Sequence, residues 1–143
     1  KRLFLFDSWE GPLFDQLSAA ELSMIYGNNI DTISRDGFDH FSQVKSIFGG
    51  QPSVSLIKGY VPDSLNSVDI PQVCFLHIDM NATYPEVEAM KFFWPKLQPG
   101  ALVLLDDYGQ PGRIEQKRGM DALGLELGFQ TYSSPTGQGL VIK

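Results

Sequence analysis

The sequence has one cysteine, Cys74, among 143 residues. A lone thiol cannot close an internal disulfide or build a cysteine-based zinc site, and the apolar neighbours Val73 and Phe75 predict a buried, reduced sulfur. Basic residues are also scarce: 11 Lys and Arg stand against 17 Asp and Glu, a net charge of −6, and they form no run. A surface that tracks nucleic-acid phosphates or binds an anionic membrane is therefore not expected. No apolar run approaches the roughly 18 residues needed to span a bilayer, and no secretory signal pattern is present. A cytoplasmic protein with small-molecule, metal-ion or protein partners is the expectation. HExxH, GxSxG and P-loop patterns are absent too, which removes support for zinc proteolysis, an α/β-hydrolase serine and nucleoside triphosphate binding.

What is present is enough for one core, since 43% of the residues are hydrophobic and only 20% charged. The runs Leu3 to Phe6, Val73 to Ile78 and Ala101 to Leu105 are continuously apolar, as strands buried on both faces of a parallel sheet would be. Further strands are predicted at Ser53 to Lys58, Phe129 to Ser133 and Gly139 to Ile142. Helical spacing joins Val87, Met90, Trp94 and Leu97 from Thr83 onward, with Thr83 and Glu86 as a capping-box pair and Pro99-Gly100 as the stop. Ser18 and Glu21 repeat that pair before Leu22 and Ile25. A helix from about Asp36 to Phe48 carries Phe38, Phe41, Val44 and Ile47. The last, about Arg113 to Leu127, is interrupted by Gly119 and Gly124. Alternating strands and helices predict an open α/β sheet with ligands at the carboxyl ends of its strands.

Acids lie at those ends: Asp7, Asp79, Asp106 and Asp107. If the strands at Val73 and Ala101 are neighbours, Asp79, Asp106 and Asp107 converge on one rim, where their repulsion calls for a positive charge. A hard divalent cation such as Mg²⁺ would supply it and retain positions for substrate hydroxyls. Acids that merely end a strand, with Tyr108-Gly109 as the turn, are the commoner arrangement, so spacing alone does not establish a metal. A metal-binding or phosphoacceptor signalling domain is a weaker option, because its acidic pair would be expected on the first strand. Pro135 to Gly139 reads better as a hairpin than as a phosphate cradle. His77 is expected in the core and His40 on the surface, with Phe92, Phe93 and Trp94 covering the sheet. Trp9 and Tyr60, on rim loops, are candidates for ligand contact.

The segments His77-Ile78-Asp79, Pro85-Glu86-Val87, Pro99-Gly100 and Leu105-Asp106-Asp107-Tyr108-Gly109 together resemble the macrocin O-methyltransferase (TylF-like) family. Asp7-Ser8-Trp9-Glu10-Gly11-Pro12 is similar to the family's segment after its second strand, and Lys58 to Leu65 to the segment after its third. The resemblance implies a class I, Rossmann-like methyltransferase sandwich that uses S-adenosylmethionine and Mg²⁺ to methylate a hydroxylated small molecule, with sugars among the family's acceptors. It implies that Asp79, Asp106 and Asp107 hold Mg²⁺, and that Asp7 and Ser8 lie near the cofactor ribose. Trp9 and Tyr60 would be further cofactor contacts. The family commonly has a second Asp, its candidate base, where this chain has Asn81, which can orient a hydroxyl but cannot take its proton, and that leaves Asp79 or a metal-bound hydroxide as the base. The family's first strand, helix and Gly-rich loop normally precede the segment containing Asp7. A single truncated domain over residues 1–143 is therefore expected, with the Leu3 strand either pairing directly with the Val73 strand or taking a strand from a second chain. A truncated or degenerate methyltransferase-like domain without catalysis, able to form a homodimer, is the competing expectation.

Overall fold

A computed structural model of the chain describes residues 1–27 and 39–143. β1 (Leu3–Asp7) pairs in parallel with β2 (Val54–Lys58), Leu5 opposite Leu56 and Asp7 opposite Lys58. Helices α1 (Ala19–Gly27) and α2 (His40–Phe48) occur along the connection between them. A second sheet is made of β3 (Val73–Ile78), β4 (Leu97–Leu105), β5 (Tyr132–Ser133) and β6 (Gly139–Ile142), in the order β3-β4-β6-β5. β3 and β4 run parallel, and β6 is antiparallel to both β4 and β5. Helices α3 (Thr83–Phe93) and α4 (Ile114–Leu127) complete the expected Rossmann-like α/β arrangement. No helix among the described residues is long and apolar enough to cross a membrane.

The sheet is in two pieces. Among the described residues β1 bonds only to β2 and β3 only to β4, so direct pairing of β1 with β3, one of the two arrangements expected from the sequence, does not occur. Side chains join the pieces instead: Phe4 and Phe6 pack against the main core, and the Phe6 and Phe93 rings meet edge to face at 6.0 Å.

Burial is one-sided, against the expectation of strands covered on both faces. Ile78, Val103, Leu105 and Val141 are buried with Met90, Phe93, Met120 and Leu123 from α3 and α4. Each such side chain withdrawn from water contributes roughly 1.5–3 kcal/mol. Phe75, Leu102 and Ile142 are register partners on the opposite face and are all exposed. Cys74, predicted buried, is exposed as well. Apolar runs report the capacity to be buried, and no described helix packs on that face.

The helix ends follow local chemistry with two corrections. Ser18 and Glu21 form the reciprocal capping box: the Ser18 N–H donates to Glu21 Oε2 at 2.8 Å and the Glu21 N–H to Ser18 Oγ at 3.1 Å. The box expected at Thr83 and Glu86 is absent. Ala82 is the N-cap of α3, and Thr83 donates its N–H and hydroxyl to Glu21 Oε1, at 2.7 and 2.6 Å. Glu21, buried and held ionised by these bonds to Thr83 and Ser18, thus caps two helices. α3 ends at Phe93, before the 3₁₀ turn Trp94–Lys96, and Pro99-Gly100 lies within β4. Asp39 caps α2 by accepting from the Ser42 N–H; the earlier start at Asp36, with Phe38, lies outside the described residues, as does the Ile25 side chain. β5 is shorter than predicted. The hairpin before β6 is present, with the Ser134 N–H bonded to the Gln138 carbonyl.

α4 runs unbroken through both glycines. A Cβ at Gly119 would sit 2.6 Å from Thr83 Cγ2 and 3.2 Å from Val87 Cγ2, so the glycine lets α4 approach α3. In an exposed helix, Gly→Ala gains about 1 kcal/mol. Here Gly119→Ala should instead lose about 1–2 kcal/mol in urea unfolding. Thr83→Ser, which removes the clashing methyl and keeps the hydroxyl on Glu21, should restore most of it. A stabilised Gly119→Ala protein would contradict this packing.

Candidate functional site

The parallel register sets Ile78 opposite Leu105, so Asp79 and Asp106 leave their strands side by side. The Asp106 N–H donates to the Ile78 carbonyl at 3.0 Å. One oxygen of each carboxylate and one ring nitrogen of His77 lie within 4.8 Å of one another. His77, expected in the core, is instead on the uncovered face, with Nε2 3.7 Å from Asp106 Oδ1. Gln138, carried by the β5 to β6 hairpin, donates to the same oxygen at 3.1 Å. Asp107 is turned inward. Its Oδ2 is buried without a hydrogen bond, and Arg113 Nε is 3.6 Å away. Burial, then repulsion from Asp106 and Asp107, raises the Asp79 pKa above the ordinary carboxylate range.

Beside this cluster is a cavity of about 590 Å³. Its wall contains Asp7, Ser8, Trp9 and Tyr60, all the positions expected to meet a cofactor, together with Asp79 and Asn81. Asp106 and Asp107 lie outside that wall. Asp7 Oδ1 accepts the Trp9 N–H at 2.7 Å, and the Asp7 carbonyl accepts the Gly59 N–H at 2.9 Å, which ties the ends of β1 and β2 together. The Ser8 hydroxyl donates to the Gly11 carbonyl and accepts the Glu10 N–H, so it shapes the loop. That loop holds Trp9 at φ 53°, its ring 4.9 Å from Phe41 on α2. His40, expected on the surface, also lines the cavity, as do Met80 and Arg113. Sequence reasoning missed Arg113 as a site residue. Its one signal was a cation placed just after the Asp106-Asp107-Tyr108-Gly109 turn.

The donors suit a divalent cation. The carboxylates of Asp79 and Asp106 with the His77 imidazole are ordinary ligands of such ions, while Asp107 lies outside that trio, its buried Oδ2 without a hydrogen bond and 3.6 Å from Arg113 Nε. Behind the rim, Glu86 is buried, accepting the Met80 N–H at 3.3 Å and a Gln116 Nε2 hydrogen at 2.9 Å. Desolvation outweighs those bonds and pushes its pKa up to about 7.

The α/β sheet with acids at its strand ends and a cavity across them has the Rossmann-like fold of solved methyltransferases. The O-methyltransferase NovP is 14% identical and superposes with a TM-score of 0.80 over 99% of this chain. CalS11, a calicheamicin methyltransferase, gives 15% and 0.65 over 99%. The SAH-bound Podospora anserina methyltransferase PaMTH1 gives 11% and 0.57 over 99% of this chain and 70% of its own. This chain spans 60% of the length of NovP and of CalS11. Residues 1–108 match the Methyltransf_24 methyltransferase domain, and the chain belongs to that family. No curated protein matches it.

Glu86 makes stability pH-dependent. Its folded pKa of about 7 exceeds the ordinary 4.5, so the folded state keeps a proton that the unfolded state releases, and stability falls as pH rises through that window. Glu86→Gln should remove the loss. In urea unfolding without divalent cations, the variant should match wild type near pH 4 and exceed it at pH 8 by up to about 3 kcal/mol. An equal difference at both pH values would contradict a protonated Glu86.

Proposed function

We propose that the domain is an S-adenosylmethionine-dependent O-methyltransferase that uses Mg²⁺ and acts on a hydroxylated small molecule, of the kind to which TylF-like enzymes are directed. The observation that carries this reading is one cavity whose wall holds Asp7 at the end of β1 and Asp79 at the end of β3, with Asp106 and His77 clustered behind Asp79. NovP, an O-methyltransferase by name, supports the choice of oxygen, and CalS11, a calicheamicin methyltransferase by name, supports methyl transfer to a small molecule.

When bound, S-adenosylmethionine supplies an electrophilic methyl on sulfonium, and a divalent cation lowers the pKa of an acceptor hydroxyl. The residues divide the remaining work. Asp7, its carboxylate steadied by the Trp9 N–H, would accept from the cofactor's ribose hydroxyls, and Trp9 and Tyr60, on the same wall, would contact the cofactor. Asp79, Asp106 and Asp107 hold the cation. Asp79 also faces the cavity and takes the acceptor's proton, a task that the amide of Asn81 cannot perform. Alignment of the oxygen with the sulfur–methyl bond is what these contacts provide.

A non-catalytic methyltransferase-like domain is the second reading, favoured by the break in the sheet between β1 and β3. Calorimetry separates the two. S-adenosylmethionine should bind wild type, Asp7→Ala should weaken that binding about tenfold or more, and Asp106→Asn/Asp107→Asn should abolish the rise in Tm that millimolar Mg²⁺ gives wild type. No cofactor binding would favour the non-catalytic domain, and an equal Mg²⁺ response in the double variant would remove the metal from the proposal.

A further inference from the structure

Arg113 is a cation set among the acids, lining the cavity with Asp79 and lying beside Asp107. It precedes α4 as its N-cap residue, and its side chain is 13% exposed. Nη1 donates to the Asn81 carbonyl at 3.0 Å and Nη2 to Asn81 Oδ1 at 2.5 Å, while Nε faces Asp107 Oδ2. Asn81 Nδ2 in turn donates to Asp79 Oδ1 at 3.2 Å. Both ends of the Asn81 amide are therefore engaged by protein. The residue sits at φ 58°, a left-handed conformation that asparagine tolerates better than most side chains. A single guanidinium fork thus ties the acid ending β3 to the acid that follows β4, through a residue 32 positions away in sequence.

We infer that Arg113 is the positioning residue of the site: it fixes Asn81 as a strut and through it sets the Asp79 carboxylate, with its Nε 3.6 Å from Asp107 Oδ2. This rests on the reading that the acids hold a divalent cation. One Nδ2 hydrogen and one Oδ1 lone pair of Asn81 are then committed to protein partners. Asn81 occupies the family's base position as a link between Arg113 and Asp79. Geometry rather than charge is the contribution. Charge alone would act the other way, since a guanidinium a few ångströms from a cation repels it.

The opposing signs make the test decisive. Mn²⁺ binding to the chain, read from the free Mn²⁺ paramagnetic resonance signal, needs no catalysis. If Arg113 positions the acids, Arg113→Met and Arg113→Lys should both weaken Mn²⁺ binding about tenfold, the usual scale for partners that orient metal ligands. Lysine keeps the charge but cannot make the fork. Asn81→Ala should weaken it as well, and Arg113→Lys/Asn81→Ala should be no worse than Arg113→Lys alone, because both changes break the same linkage to Asp79. Tighter binding in Arg113→Met with no change in Arg113→Lys would show Arg113 acting as a charge, and additive losses would show that Asn81 is not its intermediary. Either overturns the inference while leaving the metal reading intact. Wild type that binds no Mn²⁺ overturns both. Should Arg113→Met fail to fold, the Lys and Asn81→Ala variants carry the same comparison.

Discussion

With Ile78 opposite Leu105, the last residues of β3 and β4 are level, and the next residue of each chain segment is an aspartate. That register is held from one side, where Val103, Leu105 and Val141 are sealed against Met90 and Met120. A shift of one residue would turn those apolar side chains to the open face, so it is strongly resisted. The price of the arrangement is electrostatic: Asp79 is partly desolvated beside two more carboxylates, and its pKa rises.

The surroundings of the acids are built to tolerate this stress. Glu86, directly behind, avoids adding a fourth charge by retaining its proton near neutrality. Arg113 supplies positive charge from the flank, and Gln138 donates to Asp106 from the last hairpin. Each comes from a different element: α3, the start of α4, and the β5 to β6 turn. The Tyr108 hydroxyl, bonded to Asp121 at 2.5 Å and to Lys117 at 2.8 Å, anchors the turn that follows the acids onto α4. At the far side of the cavity, the bond from Gly59 to Asp7 and the Trp9 contact with Phe41 give the ligand wall its own support.

The parallel strands were legible because continuous apolar runs ending in acid have few other solutions, and the convergence of Asp79 with Asp106 followed from strand adjacency. Asp7, Trp9 and Tyr60 were legible at the cavity because loops at the carboxyl ends of strands share one rim. What failed depended on distant partners. Thr83 looks like a capping residue for its own helix until Glu21, 62 residues earlier, takes its donors. Phe75, Cys74 and His77 are compatible with burial, yet burial requires a neighbour that local sequence does not specify. Arg113 was hidden for the same reason: its role lies in Asn81 and Asp107, which only the folded chain brings to it.

The central claim is that one cavity spans a nucleoside end at Asp7 and a cation end at Asp79. A crystal structure of the chain with Mn²⁺ and S-adenosylhomocysteine tests it most directly. The account predicts an anomalous peak within coordination distance of Asp79 and Asp106 and a ribose within hydrogen-bond distance of Asp7. An anomalous peak away from both acids, or a nucleoside bound outside the cavity, would contradict it.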